Sequence, residues 1–273
     1  MNRLPNESRQ TKSYSIGGVR DIFSDPGKFD TKFPFDETFT SIFHKTAKNG
    51  KEIDLSKFSI RPGLRHSDLS PPHMSDYPKV SKMLGWKERR RRKPDSRPRP
   101  IYNSDRIMDI IYLDGCLGLE LCFEDLPCAV AGISLNRKED CGDNNLSQVK
   151  QESYLSDETK LEDCIPIVKQ LQIAELVIIR RDKIVFNKEE TRKIIMQQEL
   201  VSDFRWEKLL VRSVEKILCE LGATSMAIQS AENNYWATKS ECLPMERSKM
   251  RYDVTAKRLG YKLGEDGNFH KKL

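Results

Sequence analysis

The sequence predicts a mixed α/β (α+β) fold, a central sheet flanked by helices, with an N-terminal irregular extension or small lobe. Three observations predict it. An amphipathic helix, Arg205–Leu221, lies between two apolar strand candidates, Ile165–Leu171 before it and Thr224–Ser230 after it. A second helix ends in Arg258-Leu259-Gly260-Tyr261, and a short hairpin, Tyr261–Leu273, turns at Asp266-Gly267 and closes the chain. Strand, helix, strand, helix, hairpin is the order of a sheet that carries both parallel and antiparallel neighbours.

Taken in order, residues 1–13 read as a polar, disordered tail. Residues 14–86 form the extension or small lobe, anchored by Tyr14–Val19 and Phe33–Phe43, the second of which suits a strand or a short helix. Gly17-Gly18 marks a turn. Pro62-Gly63 predicts a type II turn that sets Arg61 and Arg65 side by side, either as an anion clamp or as ordinary surface arginines. Four prolines between residues 62 and 79 forbid a regular helix interior there. Residues 87–101 read as an exposed Arg/Pro linker, since Lys87–Pro100 holds eight basic residues against two acidic ones.

From residue 102 to 273 the pattern becomes that of a folded α/β domain. Arg106–Tyr112 is an apolar run. Gly118–Phe123 and Ala129–Leu135 predict a hairpin joined by a four-to-five-residue turn. Residues 136–163 read as a long acidic loop. Beyond the strand Ile165–Leu171, two short strands, Leu176–Arg180 and Ile184–Phe186, precede a helix over Lys188–Leu200. In Arg205–Leu221, Trp206, Leu209, Leu210, Val214, Ile217, Leu218 and Leu221 share one face at three- and four-residue spacings. Asp203 is the expected cap and Gly222 the expected left-handed stop.

Composition bounds the chemistry. The chain has 273 residues, 37% hydrophobic and 32% charged, with a net charge of +6. No stretch nears the roughly 18 uninterrupted apolar residues of a membrane span, and the polar N-terminus lacks a secretory signal's apolar core. A cytoplasmic protein is expected. Its seven cysteines are odd in number and contain no C-x-x-C, and its histidines are only four, so neither a metal site nor a disulfide framework is expected. The motifs G-x-S-x-G, Walker A, G-x-G-x-x-G and H-E-x-x-H are absent. Glu120, between Leu119 and Leu121, is the one carboxylate inside a strong apolar run. Burial there would raise its pKa toward that of a general base, whereas strict alternation would turn it to solvent.

The order of elements over about residues 102–273 resembles the GNAT superfamily of acyl-CoA N-acyltransferases. The most specific part is Tyr252-Asp253-Val254-Thr255-Ala256-Lys257-Arg258-Leu259-Gly260-Tyr261-Lys262, which is similar to that family's helix ending in leucine-glycine-aromatic-lysine. The resemblance implies acetyl-CoA or another acyl-CoA as cofactor. Its pantetheine would pair with the strand edge at Ile167-Val168-Lys169-Gln170-Leu171-Gln172, where that strand splays from its neighbour. Its diphosphate would sit at the helix start, at Arg205 and Trp206. Asn233, after the second strand, would add a polar contact together with Asn234. Glu120 would be the general base. Tyr252 would protonate the departing thiolate, because the family's usual tyrosine position holds Ala256; the alternative is that Tyr252 packs as a core aromatic. The diphosphate loop is degenerate, with no glycine between Gly142 and Gly222. Two other functions fit the sequence: a catalytically inactive GNAT-like binding module, and a nucleic-acid-associated protein binding phosphates through Lys87–Arg99.

Overall fold

A computed structural model of the chain describes residues 13–48, 54–64, 115–123, 126–139, 155–173, 204–234 and 245–273. The Lys87–Pro100 run, Arg106–Tyr112, the elements expected over 176–200 and the expected cap Asp203 all lie outside the described residues.

Three short helices open the fold, each begun by a short polar side chain that accepts from a first-turn N–H. Ser15 caps α1 (Ile16–Ser24), Asp25 caps α2 (Pro26–Lys32) and Asp36 caps α3 (Glu37–Thr46). Gly17-Gly18 therefore form the first turn of α1 and not a separate turn: the Ser15 hydroxyl accepts from the Gly18 N–H at 3.2 Å. The Phe33–Phe43 anchor resolves into α3, which buries Phe39 and Phe43.

Residues 58–64 overturn the expected Pro62-Gly63 turn. They are strand β1 (Phe58–Leu64), which puts Arg61 opposite Glu120 and Pro62 opposite Leu119. β1 is an edge strand, so the N–H that proline lacks costs the ladder little. Arg65 lies outside the described residues. β2 (Leu117–Phe123) and β3 (Leu126–Arg137) form the expected hairpin with a shorter connection, because Leu126 and Pro127 already pair with Phe123 and Cys122.

β4 (Cys164–Ile173) pairs antiparallel with β3 along its length and skips one position between Val168 and Gln170, which leaves Lys169 as a bulge. Helix α4 (Trp206–Glu220) follows, then β5 (Ser225–Ile228). A composite helix runs through α5 (Met245–Lys249), a π-helical turn (Met250–Val254) and α6 (Thr255–Arg258). Strands β6 (Lys262–Leu263) and β7 (Phe269–Lys272) close the chain. The seven strands order as β1-β2-β3-β4-β5-β7-β6, all antiparallel except β4 with β5. This is the expected mixed α/β fold, and its first strand comes from the N-terminal extension.

Leu117, Leu119 and Leu121 of β2 and Ala129, Ala131, Ile133 and Leu135 of β3 alternate onto one sheet face. That face shares one core with apolar side chains of α1, α2, α3 and α4. Phe43, Phe58, Phe123 and Phe204 meet edge-to-face within it, at centroid separations of 5.0–6.0 Å. Phe204 immediately precedes α4, and the Arg205 N–H donates to the Thr46 carbonyl at 2.9 Å. The start of α4 is thereby pinned to the end of α3. Among the described residues no helix is long and apolar enough to cross a membrane.

Candidate functional site, a parted strand edge beside a basic cleft

β4 and β5 run parallel for only two paired residues, Ile167 with Ala227 and Val168 with Ile228, before one last bond from the Gln229 N–H to the Val168 carbonyl. Beyond that point β5 leaves, and three side chains take over the edge of β4. Asn234 Nδ2 donates to the Lys169 carbonyl at 3.0 Å, and the Leu171 N–H donates to the Tyr252 hydroxyl at 3.0 Å. Arg251 Nη1 donates to the Leu171 carbonyl at 3.1 Å. Buried backbone polar groups need partners, so a strand edge that loses its neighbour must be met by side chains or by a ligand.

The helix that supplies two of those side chains owes its aim to the π turn. Widening the ring by one residue at Met250–Val254 lets consecutive residues, Arg251 and Tyr252, both reach β4. The helix then stops in a Schellman motif: the Gly260 N–H donates to the Lys257 carbonyl and the Tyr261 N–H to the Ala256 carbonyl, with Gly260 at φ +82°. That arrangement is what Leu259-Gly260-Tyr261 announces in the sequence.

Arg251 joins the strand edge to a neighbouring cleft of about 520 Å³. Its guanidinium lies 5.4 Å from the centre of the Trp206 ring, and it lines the cleft together with Lys48, Arg205, Lys208, Arg247 and Arg258. Two carboxylates, Glu207 and Glu246, face them. Arg205 occupies the cap position of α4 without a side-chain cap bond. The dipole of α4 points its positive end into this cleft, and the guanidinium of Arg205 adds to it. Burial depresses the Lys208 pKa, and the charges of Arg205, Arg212 and Arg258 push it the same way. Glu207 shifts upward, chiefly through burial, against the opposing pull of its own backbone N–H, Arg251, Lys48 and Arg258.

The expected site residues are divided by the fold. Val168, Lys169, Gln170, Leu171 and Gln172 lie on β4 as expected, and Lys169 and Leu171 carry the polar groups that side chains meet. Gln170 is buried and donates to Gln172 Oε1 at 2.8 Å. Trp206 is buried beneath Arg251. Asn233 is turned away from β4: its Nδ2 donates to the Asp266 carbonyl and to Asn268 Oδ1, tying the loop to the β6–β7 hairpin. Asn234, the next residue, is the one of the pair that reaches β4, at the Lys169 carbonyl.

Glu120 is fully buried, so the solvent-facing alternative is excluded. It occupies one cross-strand row with Arg61, Val130 and Gln172, about 10 Å from Gln172 at two strand spacings. Arg247, Arg251 and Arg258 were not foreseen as site residues. A helical stripe at positions 247, 251 and 258 was their only signal in the sequence. Among the described residues no cluster of three His, Cys, Asp or Glu side chains is placed to hold a metal ion. No protein-family model and no curated protein matches this chain.

Proposed function

We propose that this chain is an acyl-CoA-dependent N-acyltransferase-like protein of the GNAT type, which transfers an acyl group to an amine. One observation carries the proposal: the β4 edge loses β5 after two residues, and Arg251 connects that edge directly to a basic cleft at the start of α4. This is the juxtaposition that an extended amide-bearing arm ending in a diphosphate requires. The anionic end suits Arg205, Arg251 and the α4 dipole. The amide arm would exchange its own carbonyls and N–H groups for the bonds now made by Asn234, Tyr252 and Arg251.

In that reading the amine nitrogen bonds to the thioester carbonyl carbon, the carbon–sulfur bond breaks, and the thiolate takes its proton from Tyr252. The ammonium proton would pass through a chain of bridging waters toward Glu120, buried on β2 two strands from β4. A second reading, an inactive GNAT-like binding module, is favoured by the bond between the Tyr252 hydroxyl and the Leu171 N–H, which fills the edge with protein.

A thermal-shift titration with acetyl-CoA, CoA and longer acyl-CoAs tests both. At a hundredfold excess over Kd, a ligand specific to the folded state adds about 2.7 kcal/mol. Arg205→Glu is expected to abolish the shift by placing a negative charge where the diphosphate must sit. No shift with any acyl-CoA at millimolar concentration would sink the acyltransferase reading and promote the binding module, and a shift insensitive to Arg205→Glu would mean that the cofactor binds elsewhere.

A further inference from the structure

The cleft at the start of α4 has a neighbour. A second, of about 500 Å³, opens on the far side of Lys208, between the end of α3 and β7. It is lined by Lys45, Arg212, Lys216, Lys271 and Lys272 beside the shared Lys208, with Glu215 as its single carboxylate. Together the clefts carry eleven basic side chains against three acidic ones, a net +8. Counting Glu220 and Asp36, which approach Lys216 at 2.6 and 4.0 Å, still leaves +6 on these clefts.

The helix sets the geometry of that face. Arg205, Lys208, Arg212 and Lys216 follow one another at three- and four-residue steps, so they form a single stripe along about 16 Å of helix. Arg205, Lys208, Arg247 and Arg258 form no ion pair with a carboxylate of the described residues. A single phosphate group satisfies one cleft, not two joined by a ridge. A row of phosphates satisfies both.

We propose that this face binds the phosphate backbone of a nucleic acid strand, laid along α4 from one cleft to the other. The chemistry separates this partner from others. Guanidinium and ammonium groups both hold phosphate oxygens, and their succession along α4 suits a chain of regularly spaced phosphodiesters. A membrane surface would call for apolar side chains to insert, and of the exposed large hydrophobics among the described residues only Met250 lies on these clefts. Among the described residues Trp206, the aromatic beneath this face, is buried and offers no ring for base stacking, so the proposed binding is read through phosphates and is sequence-independent. The site differs from the Lys87–Arg99 run and does not depend on acyl-CoA binding.

The test uses the full chain and fluorescence anisotropy with labelled duplex DNA and single-stranded RNA, across a series of salt concentrations. The parent is expected to bind both, with log Kobs falling linearly against log salt at about −0.9 per phosphate contacted on duplex DNA. The pairs K45E/K272E and R247E/R258E each address one cleft through exposed residues outside the Glu215 ion pairs. Each is expected to weaken binding about tenfold or more and to lower the slope by one to two units. The neutral pair K45Q/K272Q gives the same reading, in smaller measure, if the reversal perturbs folding.

K45E/K272E is expected to keep any acetyl-CoA thermal shift, so failure of the acyltransferase reading and failure of this one are distinguishable. Unchanged affinity and slope in both charge-reversal pairs overturns the proposal, as does loss of all binding on replacing Arg89–Arg92 with serine alone. Equal affinity for polyglutamate or for phosphatidylserine vesicles, with the same sensitivity to these substitutions, overturns the assignment to nucleic acid.

Discussion

Replacing Tyr252 with phenylalanine removes one oxygen atom from a closed part of the molecule, and the structure says what that oxygen does. The side chain is 4% exposed, and its hydroxyl accepts the Leu171 N–H at 3.0 Å, where β4 has already lost its parallel neighbour. The ring stays, so packing is kept and no large cavity forms. The loss is that of a buried donor left without its acceptor, worth about 1–3 kcal/mol. For a chain of this size that corresponds to a fall in Tm of roughly 2–12 °C.

Denaturant unfolding of the parent and of Tyr252→Phe measures the difference, and it should appear in the midpoint with the slope m unchanged. Amide exchange at Leu171 supplies the local readout, with protection falling more there than at Val168, whose carbonyl remains bonded to the Gln229 N–H. Stability within about 0.5 kcal/mol of the parent and unaltered Leu171 exchange would refute the reasoning, since a substitution touching nothing buried is expected to stay within that range. If the acyltransferase reading also holds, the same variant keeps acyl-CoA binding yet slows transfer, a kcat loss without a KM loss.

Two further outcomes follow from the same geometry. Burial raises the Glu207 pKa in the folded state, so the folded chain holds this proton more tightly than the unfolded one, and stability falls as pH rises from the ordinary glutamate value through the raised one. Glu207→Gln should remove that slope in urea melts taken across pH, raising stability at neutral pH and gaining nothing below about pH 4; an unchanged pH profile counts against it. Gly260→Ala should cost about 1 kcal/mol, because φ is +82° but no atom lies within 4 Å of the new Cβ. Gly222→Ala should cost more, since φ is +98° and its Cβ would come within 2.5 Å of Ser13 Cα; equal costs by chemical denaturation would contradict this ranking.

The elements legible in the sequence are those whose causes are local. Helix α4 was placed within one residue at each end because its apolar spacing follows the helix period, and the stop at Gly260 because only glycine takes that φ readily. The β2–β3 hairpin and the closing hairpin were legible for the same kind of reason, alternation around a turn. Where local signals were ambiguous the sheet decided: Pro62-Gly63 reads as a turn in isolation, but pairing with β2 holds it extended.

The candidate site was only half legible. Tyr252 and the β4 residues follow from pattern and resemblance, but nothing along the chain says that β5 departs after Ile228 or that a π turn aims Arg251 and Tyr252 together. Nor does spacing reveal that Lys48, Arg205 and the Arg247–Arg258 stripe, drawn from three distant segments, surround one cleft. By itself the sequence determined periodicity, caps and stops, because these depend on a few neighbouring residues. Tertiary structure alone decided which unpaired backbone groups meet which side chains and where like charges gather, because those follow from packing across the whole sheet.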